Sequence, residues 1–591
     1  MEERWVVVRK GADFEGIAKK YKVSPIIARL MRNREIIGDD AIDEYLNGTL
    51  DNLYDGILMK DMNVAVDIIR EKIQSKKHIR IIGDYDIDGI NATYILVEGL
   101  RKLGALVDSD IPDRIKDGYG LNIELIERAI ADGIDTIITC DNGIAALHEI
   151  AYAKAHGLTI IITDHHEVPY EEVAGENGFE RTYIYPNADA IIDPKQEYCG
   201  YPFKGLCGAG IAYKLVEVLF QVSGADSEDV DYLMENVAIA TIGDVMDLIG
   251  ENRIFVKQGL EMLKRTKNIG LKSLLEKTVP DISQLNSYHI GFVIGPCLNA
   301  SGRLDTAKRA LELFMTKNKA EAEVLATDLK ALNDSRKEMT IQGVEEAKKQ
   351  VEEQWLEDKI LVIYLPDCHE SLAGIIAGRI RELYHKPTFV LTKGEEGVKG
   401  SGRSIDAYHM FEEMSKCKEL FTKFGGHKLA AGLSLPEENV EKFRRILNQL
   451  STLSEEDLQA KIAIDMQLPI CYVNPSMIEE LSLLEPFGKG NHKPCFAERE
   501  LEIVKLQVLG KMKNVLKVRL RDLAGDEIDG ICFNNIELML EDIIAKYGQE
   551  SLNLLQKGRR SGVKLSLVYY PGINEFNGNT TLQLVIQNYK V

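Results

Sequence analysis

The amino-acid sequence predicts an α/β protein that contains a second, smaller α/β unit and ends in a β-barrel. From about residue 78 to 195, short apolar strands alternate with helix-compatible segments, which is the pattern of βαβ units in a parallel sheet. A second unit of this kind begins at about residue 359 with the strand ILVIYL. Residues 456–591 return to short alternating strands separated by Gly and Asn turns, which predicts a small barrel such as an OB-fold.

The length of 591 residues predicts several domains, because a single domain usually holds about 100–200 residues. Between Pro296 and Pro366 the sequence has no proline and is rich in Ala, Leu, Glu and Lys, so we expect long helices that join the two α/β domains. The expected segments are an N-terminal helical region (1–75), a first α/β domain (76–295), the connecting helices (296–358), a second α/β domain (359–455) and the barrel (456–591).

Composition and charge narrow the class of protein. The net charge of −21 argues against a uniformly basic nucleic-acid-binding surface, although binding confined to one groove is compatible with it. No apolar run approaches the roughly 20 residues of a membrane helix, and the start, MEERWVVVRKG, lacks the apolar core of a secretion signal. The nine cysteines include no CxxC pair, which argues against a disulfide framework or structural zinc. We therefore expect a cytoplasmic protein without membrane association.

Acidic residues and histidines follow three successive strands of the first α/β domain. The carboxyl ends of parallel strands meet at one edge of a sheet, where functional sites form. A single Asp in such a place is usually a helix N-cap or a turn residue, so the three strand ends have to be considered together. They carry Asp84, Asp86 and Asp88 in GDYDIDG, Asp141 in TCDNG, and Asp164, His165 and His166 in TDHH.

These carboxylates would repel one another unless cations were bound among them. Asp and His ligands without Cys favour Mn²⁺ or Mg²⁺ over structural zinc, and two ions about 3.5–4 Å apart would form a site for phosphoester hydrolysis. Asp244 is a further candidate ligand, because it lies in the apolar segment IATIGDVMDL, where a free carboxylate would be costly. The other acids of residues 224–251 are typical of a solvated helix face.

Four motifs, GDYDIDG, TCDNG, TDHH and ATIGDVMDLIGENR, occur in the order seen in DHH phosphoesterases, and the chain resembles that family. The segments IPDRIKDGYGLN, LCGAGIAYKL, GPCLNASGR, CHESLAGIIAGRI, GSGRS, FGGHKLAAG and LEPFGKGN extend the resemblance to the RecJ family of single-strand-specific 5′→3′ exonucleases, over nearly the whole chain. This resemblance implies a DHH parallel-sheet domain joined by a long helix to a smaller DHHA1 domain, followed by an OB-fold. One departure is Ser371, which follows His369 and Glu370 where the family commonly has glycine.

The resemblance also implies the catalytic residues. The expected metal ligands are Asp86, Asp88, Asp141, His165 and Asp244, and the catalytic set is completed by Asp84 and His166, either as ligands or as groups that hold the ligands in place. Two Mn²⁺ or Mg²⁺ ions would then activate a water for attack on a phosphodiester and stabilise the leaving oxygen.

Two glycine-bearing segments of the second α/β domain, GSGRS (400–404) and FGGH (424–427), are expected as loops whose exposed backbone N–H groups suit a phosphate, although each alone is more often a plain turn. The resemblance implies that Arg114, Arg303, Ser401 and Arg403 help to recognise the DNA 5′ end, whereas an arginine considered alone could form a surface ion pair. Basic residues of the barrel would either follow a single strand or form a solvated face. The expected DNA-binding residues are Arg114, Arg303, His369, Ser401, Arg403, Gly425, Gly426, His427, Lys513 and Arg519.

The leading hypothesis is a metal-dependent exonuclease that hydrolyses single-stranded DNA from the 5′ end to 5′-mononucleotides, in DNA recombination and repair. It implies a monomer that acts on single-stranded DNA, with a helicase or a single-strand-binding protein as candidate partners. Two alternatives stay open: a DHH phosphodiesterase acting on short oligonucleotides or cyclic dinucleotides, and a non-catalytic DNA-replication scaffold. The barrel and the long N-terminal region favour a polymeric substrate, and the complete set of acidic positions counts against a scaffold.

Overall fold

The structure is a computed structural model that describes residues 3–114, 116–118, 120–175, 178–394, 397–510, 514–576 and 579–591. Contacts within it divide the chain into two compact units. One consists mainly of Leu53–Ala460, and the other combines Glu3–Asn52 with Lys461–Val591. Among the described residues, none of the helices is both long enough and apolar enough to span a membrane.

The N-terminal segment is a strand followed by three short helices. Asp13 and Ser24 begin the first two helices, because their side chains accept hydrogen bonds from the backbone N–H groups of Gly16 and Ile27. The elements are β1 (Arg4–Val7), α1 (Phe14–Tyr21), α2 (Pro25–Asn33) and α3 (Asp39–Asn47).

The first α/β domain is built on a five-stranded sheet with the order β3-β2-β4-β5-β8, in which all neighbours are parallel. Its strands are almost continuously apolar and buried, as expected where both faces of a parallel sheet are covered. A separate hairpin pairs β6 with β7. The elements are α4 (Met62–Gln74), β2 (His78–Gly83), α5 (Ile87–Lys102), β3 (Leu106–Asp110), α6 (Ile123–Ala131), β4 (Thr136–Cys140), α7 (Leu147–Ala155), β5 (Thr159–Thr163), β6 (Tyr170–Gly175), β7 (Gly178–Tyr183) and β8 (Ala190–Ile192).

Helices follow the sheet and end in one long helix. This last helix, α15, has 32 residues and is about 48 Å long at 1.5 Å per residue, as the proline-free span predicted. A π-helical turn joins α12 to α13. The elements are α8 (Gly208–Ser223), α9 (Met234–Gly243), α10 (Gly250–Leu263), α11 (Ile269–Thr278), α12 (Ser287–His289), α13 (Gly295–Leu304), α14 (Lys308–Met315) and α15 (Lys319–Gln350).

The second α/β domain holds a mixed five-stranded sheet with the order β12-β13-β11-β10-β9. The segments GSGRS and FGGH, expected as loops, lie largely within strands β11 and β12. Strand β11 can pack closely because a Cβ at Gly402 would lie 2.4 Å from Met410 Sδ, so only glycine fits there. The elements are β9 (Leu361–Tyr364), α16 (Ala373–Tyr384), β10 (Thr388–Lys393), β11 (Val398–Arg403), α17 (Met410–Ser415), β12 (Lys423–Gly426), β13 (Ala430–Leu435) and α18 (Val440–Leu450).

The C-terminal segment forms a closed barrel with the strand order β16-β17-β18-β20-β19, because β19 also pairs with β16. Closure leaves these five strands without a free edge. The barrel confirms the predicted fold class together with the parallel sheet. The elements are β14 (Lys461–Ile464), β15 (Met466–Gln467), α19 (Pro475–Ser482), β16 (Phe496–Leu509), β17 (Val515–Arg521), β18 (Glu527–Cys532), α20 (Ile536–Tyr547), α21 (Gln549–Gln556), β19 (Lys564–Phe576) and β20 (Asn579–Lys590).

The N-terminal segment packs with this barrel, so the contacts do not follow the expected boundary after residue 75. Strand β1 pairs in parallel with β14, and the apolar face of α2, with Ile27 and Leu30, belongs to the same buried cluster as Phe496 of the barrel. Helix α4 instead packs in the first unit against α8 and β8. The segment expected to be one helical region is therefore divided between two cores.

Candidate metal centre and substrate cleft

The carboxyl edge of the parallel sheet carries the first group of predicted acids. Asp86 follows β2 and begins α5, because its Oδ1 accepts hydrogen bonds from the backbone N–H groups of Asp88 (2.9 Å) and Gly89 (3.1 Å). Asp88 then lies in the first turn of α5 with its side chain fully buried. Asp86 is therefore both the N-cap residue of α5 and a member of the acidic site.

Asp88 is held by the beginning of a second helix. Its Oδ2 accepts a hydrogen bond from Gly208 N (2.6 Å) and its Oδ1 accepts one from Ala209 N (2.8 Å), both at the N-terminus of α8. The unpaired amides and the partial positive charge of a helix N-terminus stabilise a carboxylate. Burial and the charge of Asp86 nevertheless raise the pKa of Asp88 to about 6, so its ionised form gains from a further positive charge.

Asp141 follows β4 in the left-handed backbone region, with φ of 60°, which Asp tolerates better than most residues. It packs against the first residue of α8: a Cβ at Gly208 would lie 2.7 Å from Asp141 Cβ, so only glycine leaves room for this aspartate. Burial, together with the charges of Asp88 and Asp86, raises the pKa of Asp141 well above its usual value.

The two histidines of TDHH differ because Asp164 binds only one of their rings. Asp164 Oδ1 accepts a hydrogen bond from His166 Nδ1 (2.7 Å), and its Oδ2 accepts one from Ile144 N (2.9 Å). Burial alone would lower the pKa of His166, but the hydrogen bond to Asp164 and the charges of Asp164, Asp244 and Asp88 together raise the pKa to about 9. Burial and the neighbouring charge of His166 lower the pKa of His165 to about 3. His165 is therefore a neutral imidazole beside a protonated one.

The neutral ring of His165 faces three carboxylates. Its Nε2 lies 3.0 Å from Asp141 Oδ1, 3.6 Å from Asp88 Oδ2 and 3.8 Å from Asp244 Oδ2, and Asp244 directly follows α9. Asp141 also belongs to a second group with Asp84 and Asp86, whose ligand atoms lie within 4.8 Å of one another, and to a third with His165 and His166. The structure thus brings together all seven predicted catalytic residues: Asp84, Asp86, Asp88, Asp141, His165, His166 and Asp244.

The donors at this edge fit hard divalent cations. Burial and the charge of Asp86 raise the pKa of Asp84 to about 8, and a bound cation would relieve this repulsion. His165 Nδ1 is buried without a hydrogen-bond partner among the described residues, while Nε2 is directed at the acids. A neutral imidazole with carboxylates forms a donor set that suits Mn²⁺, and the excess of oxygen donors also suits Mg²⁺.

A cleft of about 980 Å³ lies beside the acids, between the first and second α/β domains. His166 connects the two, because it belongs to an acidic group and also lines the cleft. His369 lies next to the cleft, since its Nδ1 is 2.8 Å from the hydroxyl of Ser371, which lines it. The predicted DNA-binding residues that line the cleft are Arg114, Arg303, Ser401, Arg403, Gly425, Gly426 and His427.

Three arginines converge in the cleft. Arg303 donates a hydrogen bond to Ser371 O (2.9 Å), Arg403 donates one to Gly402 O (2.8 Å), and the Arg114 guanidinium lies 4.8 Å from the centre of the Tyr85 ring. Within the described part of the chain, neither Arg303 nor Arg403 forms an ion pair with a carboxylate. The alternative considered for these arginines, a surface ion pair, is therefore not what the structure shows. Burial and the nearby Arg114 lower the pKa of Arg303 to about 10. This grouping of like charges suits an anionic ligand.

The other two predicted DNA-binding residues belong to the C-terminal segment. Lys513 lies outside the described residues. Arg519, on barrel strand β17, donates to Glu527 Oε2 (3.0 Å) and Asp529 Oδ1 (2.9 Å) of β18, and Lys517 pairs with the same Asp529 (3.0 Å). The positive charges of Lys517 and Arg519 are therefore balanced by acids of the facing strand β18.

Three contributions to the site were not predicted from the sequence. Tyr85 lines the cleft and stacks on Arg114. Its position between Asp84 and Asp86 in the sequence could have indicated that it lies near the site. Gly208 and Ala209 hold Asp88, which the two glycines of LCGAGIAYKL ahead of a helix could have indicated. Asp164 was counted among the acids that cations would neutralise, whereas its oxygens are occupied by hydrogen bonds, including those from His166.

A parallel sheet with acids and imidazoles at its carboxyl edge, joined by a long helix to a second α/β domain, defines a DHH phosphoesterase. Family models agree: the DHH family N-terminal domain matches residues 78–242, the DHHA1 domain residues 357–452 and the RecJ OB domain residues 464–588. The chain belongs to the RecJ family.

Individual relatives support this assignment. The chain is 35% identical over 593 residues to the single-stranded-DNA-specific exonuclease RecJ of Bacillus subtilis (strain 168), a match that covers all of this chain and 71% of that protein. It is 34% identical over 583 residues to the protein of that name from Haemophilus influenzae, with 95% of each chain covered. The crystal structure of RecJ in complex with Mn²⁺ from Thermus thermophilus matches with a TM-score of 0.81 and 26% identity, covering 100% of this chain and 79% of that one.

Proposed function

We propose that this chain is a Mn²⁺- or Mg²⁺-dependent exonuclease that hydrolyses single-stranded DNA from the 5′ end to 5′-mononucleotides, in DNA recombination and repair. The observation that carries the proposal is one continuous site: His166 belongs to the acidic cluster and lines the cleft in which Arg114, Arg303 and Arg403 converge. The names of the curated relatives, which are single-stranded-DNA-specific exonucleases, support the substrate.

In this proposal the acids and His165 hold two cations. The ligands are Asp86, Asp88, Asp141, His165 and Asp244, with Asp84 and His166 beside them. When bound, the cations supply an activated water and neutralise charge at the scissile phosphate. The chain contributes the protonated His166, held by Asp164 at 2.7 Å, which faces the cleft and can donate a hydrogen bond to a phosphate oxygen.

The arginines would bind the terminal 5′ phosphate. Arg114, Arg303 and Arg403 present planar guanidinium groups, which match a phosphate better than lysines do, and Ser401 adds a hydroxyl. His369, Gly425, Gly426 and His427 would form the rest of this end pocket. Because His166 belongs to the acidic site and also lines the cleft, an end held there would place the first phosphodiester near the cations, which would account for both exonucleolytic action and 5′ polarity.

The barrel would bind the incoming single strand. Its match to the RecJ OB domain supports this role and favours a polymer over a dinucleotide as substrate. Lys513 and Arg519 are the proposed contacts, although the ion pairs of Arg519 with Glu527 and Asp529 compete with phosphate for its guanidinium.

Three further features of the proposal concern the protein in the cell. We propose a monomer that works in the cytoplasm, and the nine unpaired cysteines support a reducing compartment. A helicase or a single-strand-binding protein is the proposed partner, because an enzyme restricted to single strands depends on another protein to expose or hold them.

Substitution of the acids tests the proposal. Asp86→Ala and Asp141→Ala should each abolish Mn²⁺-dependent degradation of a synthetic single strand, and Asp67→Ala, on the exposed face of α4, should leave it unchanged. Nuclease activity that persists in both purified site variants would overturn the assignment. Preferential cleavage of dinucleotides in competition with the long strand would instead support the small-substrate alternative.

A further inference from the structure

A second cavity, of about 620 Å³, lies in the first α/β domain between α5, the beginning of α9 and the turn that follows α10. This volume falls within the range of roughly 300–1,000 Å³ that small-ligand sites occupy. Glu98 of α5 lines it, and Glu98 is about 15 Å along the helix from Asp88 at 1.5 Å per residue. The cavity is therefore separate from the metal centre, and nothing in the proposed nuclease mechanism uses it.

The inner wall of the cavity contains a buried carboxyl group. Glu235 is 2% exposed, and its side chain makes one hydrogen bond among the described residues, from Thr266 Oγ1 (3.0 Å). Burial raises the pKa of Glu235 to about 7. A buried carboxyl group with this little hydrogen bonding is costly, and a ligand with adjacent N–H donors would reduce the cost.

Aromatic side chains form the adjoining wall, and their hydrogen bonds hold them in place. The Tyr232 hydroxyl donates to Glu98 Oε1 (3.2 Å), and Asn268 Nδ2 donates to the Tyr94 hydroxyl (3.1 Å). Lys102 lies 5.0 Å from the centre of the Tyr232 ring and is occupied by Asp229 O (2.7 Å). These immobilised rings suit a planar ligand of low polarity on its faces.

Basic side chains outnumber the exposed acid Glu228 at the mouth of the cavity. Arg265 and Lys267 line it, are exposed, and form no ion pair within the described ranges. Lys317, also at the mouth, is 3.5 Å from Glu98 Oε1 and is neutralised by it. The two available cations at the opening suit an anionic group, and Arg265 offers the fork geometry that binds phosphate.

We infer that this cavity binds a guanine nucleotide. The Watson–Crick edge of guanine presents two adjacent N–H donors to the carboxylate of Glu235, whereas adenine presents a donor beside an acceptor. The base then lies against Tyr232, and its phosphate reaches Arg265 and Lys267 at the mouth. The base edge, the base face and the phosphate of the ligand thus correspond to Glu235, Tyr232 and the basic mouth of the cavity. This assignment does not depend on the nuclease activity.

Calorimetric titration of the full-length chain tests the inference. Guanosine 5′-monophosphate, adenosine 5′-monophosphate and inorganic phosphate are titrated separately in EDTA at pH 8, so that the metal centre is empty and Glu235 is ionised. We expect guanosine monophosphate to bind at one site per chain at least about tenfold more tightly than adenosine monophosphate or inorganic phosphate, whose weaker binding is confined to the arginine pocket of the cleft. The double variant Arg265→Ala/Lys267→Ala should weaken binding about tenfold and keep the circular dichroism spectrum of the unsubstituted protein, which shows that it folds.

Two further variants make the result decisive. Glu235→Gln should remove the preference for guanine, and Arg403→Ala, in the nuclease cleft, should leave binding unchanged. The inference is overturned by an absence of saturable binding, by equal affinity for the two nucleotides, or by binding that Arg403→Ala abolishes and Arg265→Ala/Lys267→Ala does not affect. If the nuclease assay refuted the proposed exonuclease activity, these binding measurements could still be interpreted, because none of them uses nuclease activity.

Discussion

Gly208→Ala provides a sharp test of how the acidic site is held. The added Cβ would lie 2.7 Å from Asp141 Cβ and 3.1 Å from Asp88 Oδ2, whereas ordinary contacts of this kind begin at 3.4 Å. Asp141 would therefore have to move by at least about 0.7 Å, and misplacement of a catalytic group by about 1 Å can cost around 100-fold in rate. We expect Mn²⁺-dependent nuclease activity to fall by about 100-fold while the circular dichroism spectrum remains that of a folded protein.

Gly210→Ala is the matched control, because it makes the same chemical change two residues later in the same helix. Its Cβ would lie 3.4 Å from the nearest atom, Leu206 Cδ2, which is an ordinary contact. Alanine also has a higher helix propensity than glycine, by up to about 1 kcal/mol. We expect Gly210→Ala to keep full activity, measured on a 5′-labelled single strand over a range of Mn²⁺ concentrations. Activity of Gly208→Ala within twofold of this control would refute the proposed role of Gly208.

Three further predictions concern the phosphate pocket, the barrel and the cations. Arg303→Lys keeps the positive charge but loses the planar guanidinium that binds a phosphate through two N–H groups, so KM for 5′-phosphorylated DNA should rise about tenfold with kcat less affected. Arg309→Lys, which alters an exposed ion pair with Asp328, is the control and should change neither KM nor kcat. Burial raises the pKa of Glu498 to about 7 from an ordinary value near 4.5, so the folded barrel should lose stability as pH rises between these values. Urea unfolding should therefore show Glu498→Gln to be stabilised relative to the unsubstituted protein at pH 8 but not at pH 4; equal effects at the two pH values would contradict this. Chelation with EDTA should abolish nuclease activity and lower the melting temperature, and Mn²⁺ should restore both; an unchanged melting temperature would count against cations that relieve the repulsion of Asp141.

The acidic site was predictable because its signals are local in sequence. Asp84, Asp86 and Asp88 lie in one turn, and Asp141 and His165 each closely follow a strand, so the rule for parallel sheets was enough to bring them together. The hydrogen bonds from the amides of Gly208 and Ala209 to Asp88 could not be predicted from a local pattern, because they join segments about 120 residues apart.

The errors share the same physical cause. Arg519 was counted with the basic residues of its own strand, but the register of β17 against β18 pairs it with Asp529. The N-terminal segment was assigned to one helical region, but β1 pairs with β14, at residues 461–464, and α2 buries Ile27 in the same cluster as residues of the barrel. GSGRS contains two glycines and suggested a loop, whereas those glycines allow β11 to pack against side chains such as that of Met410. In each case a partner on another element of the fold, absent from the local pattern, determines the outcome.

Product analysis on single strands labelled at either end tests the central claim most directly. With Mn²⁺, we expect a 5′ label to be released at once as a mononucleotide, while a 3′ label stays on fragments that shorten progressively; without divalent cations neither label should be released. Asp141→Ala should resemble the metal-free reaction, because Asp141 groups with Asp84 and Asp86 and also lies 3.0 Å from His165 Nε2. Release of the 3′ label first, internal cleavage, or degradation in the absence of divalent cations would contradict the proposed 5′→3′ exonuclease.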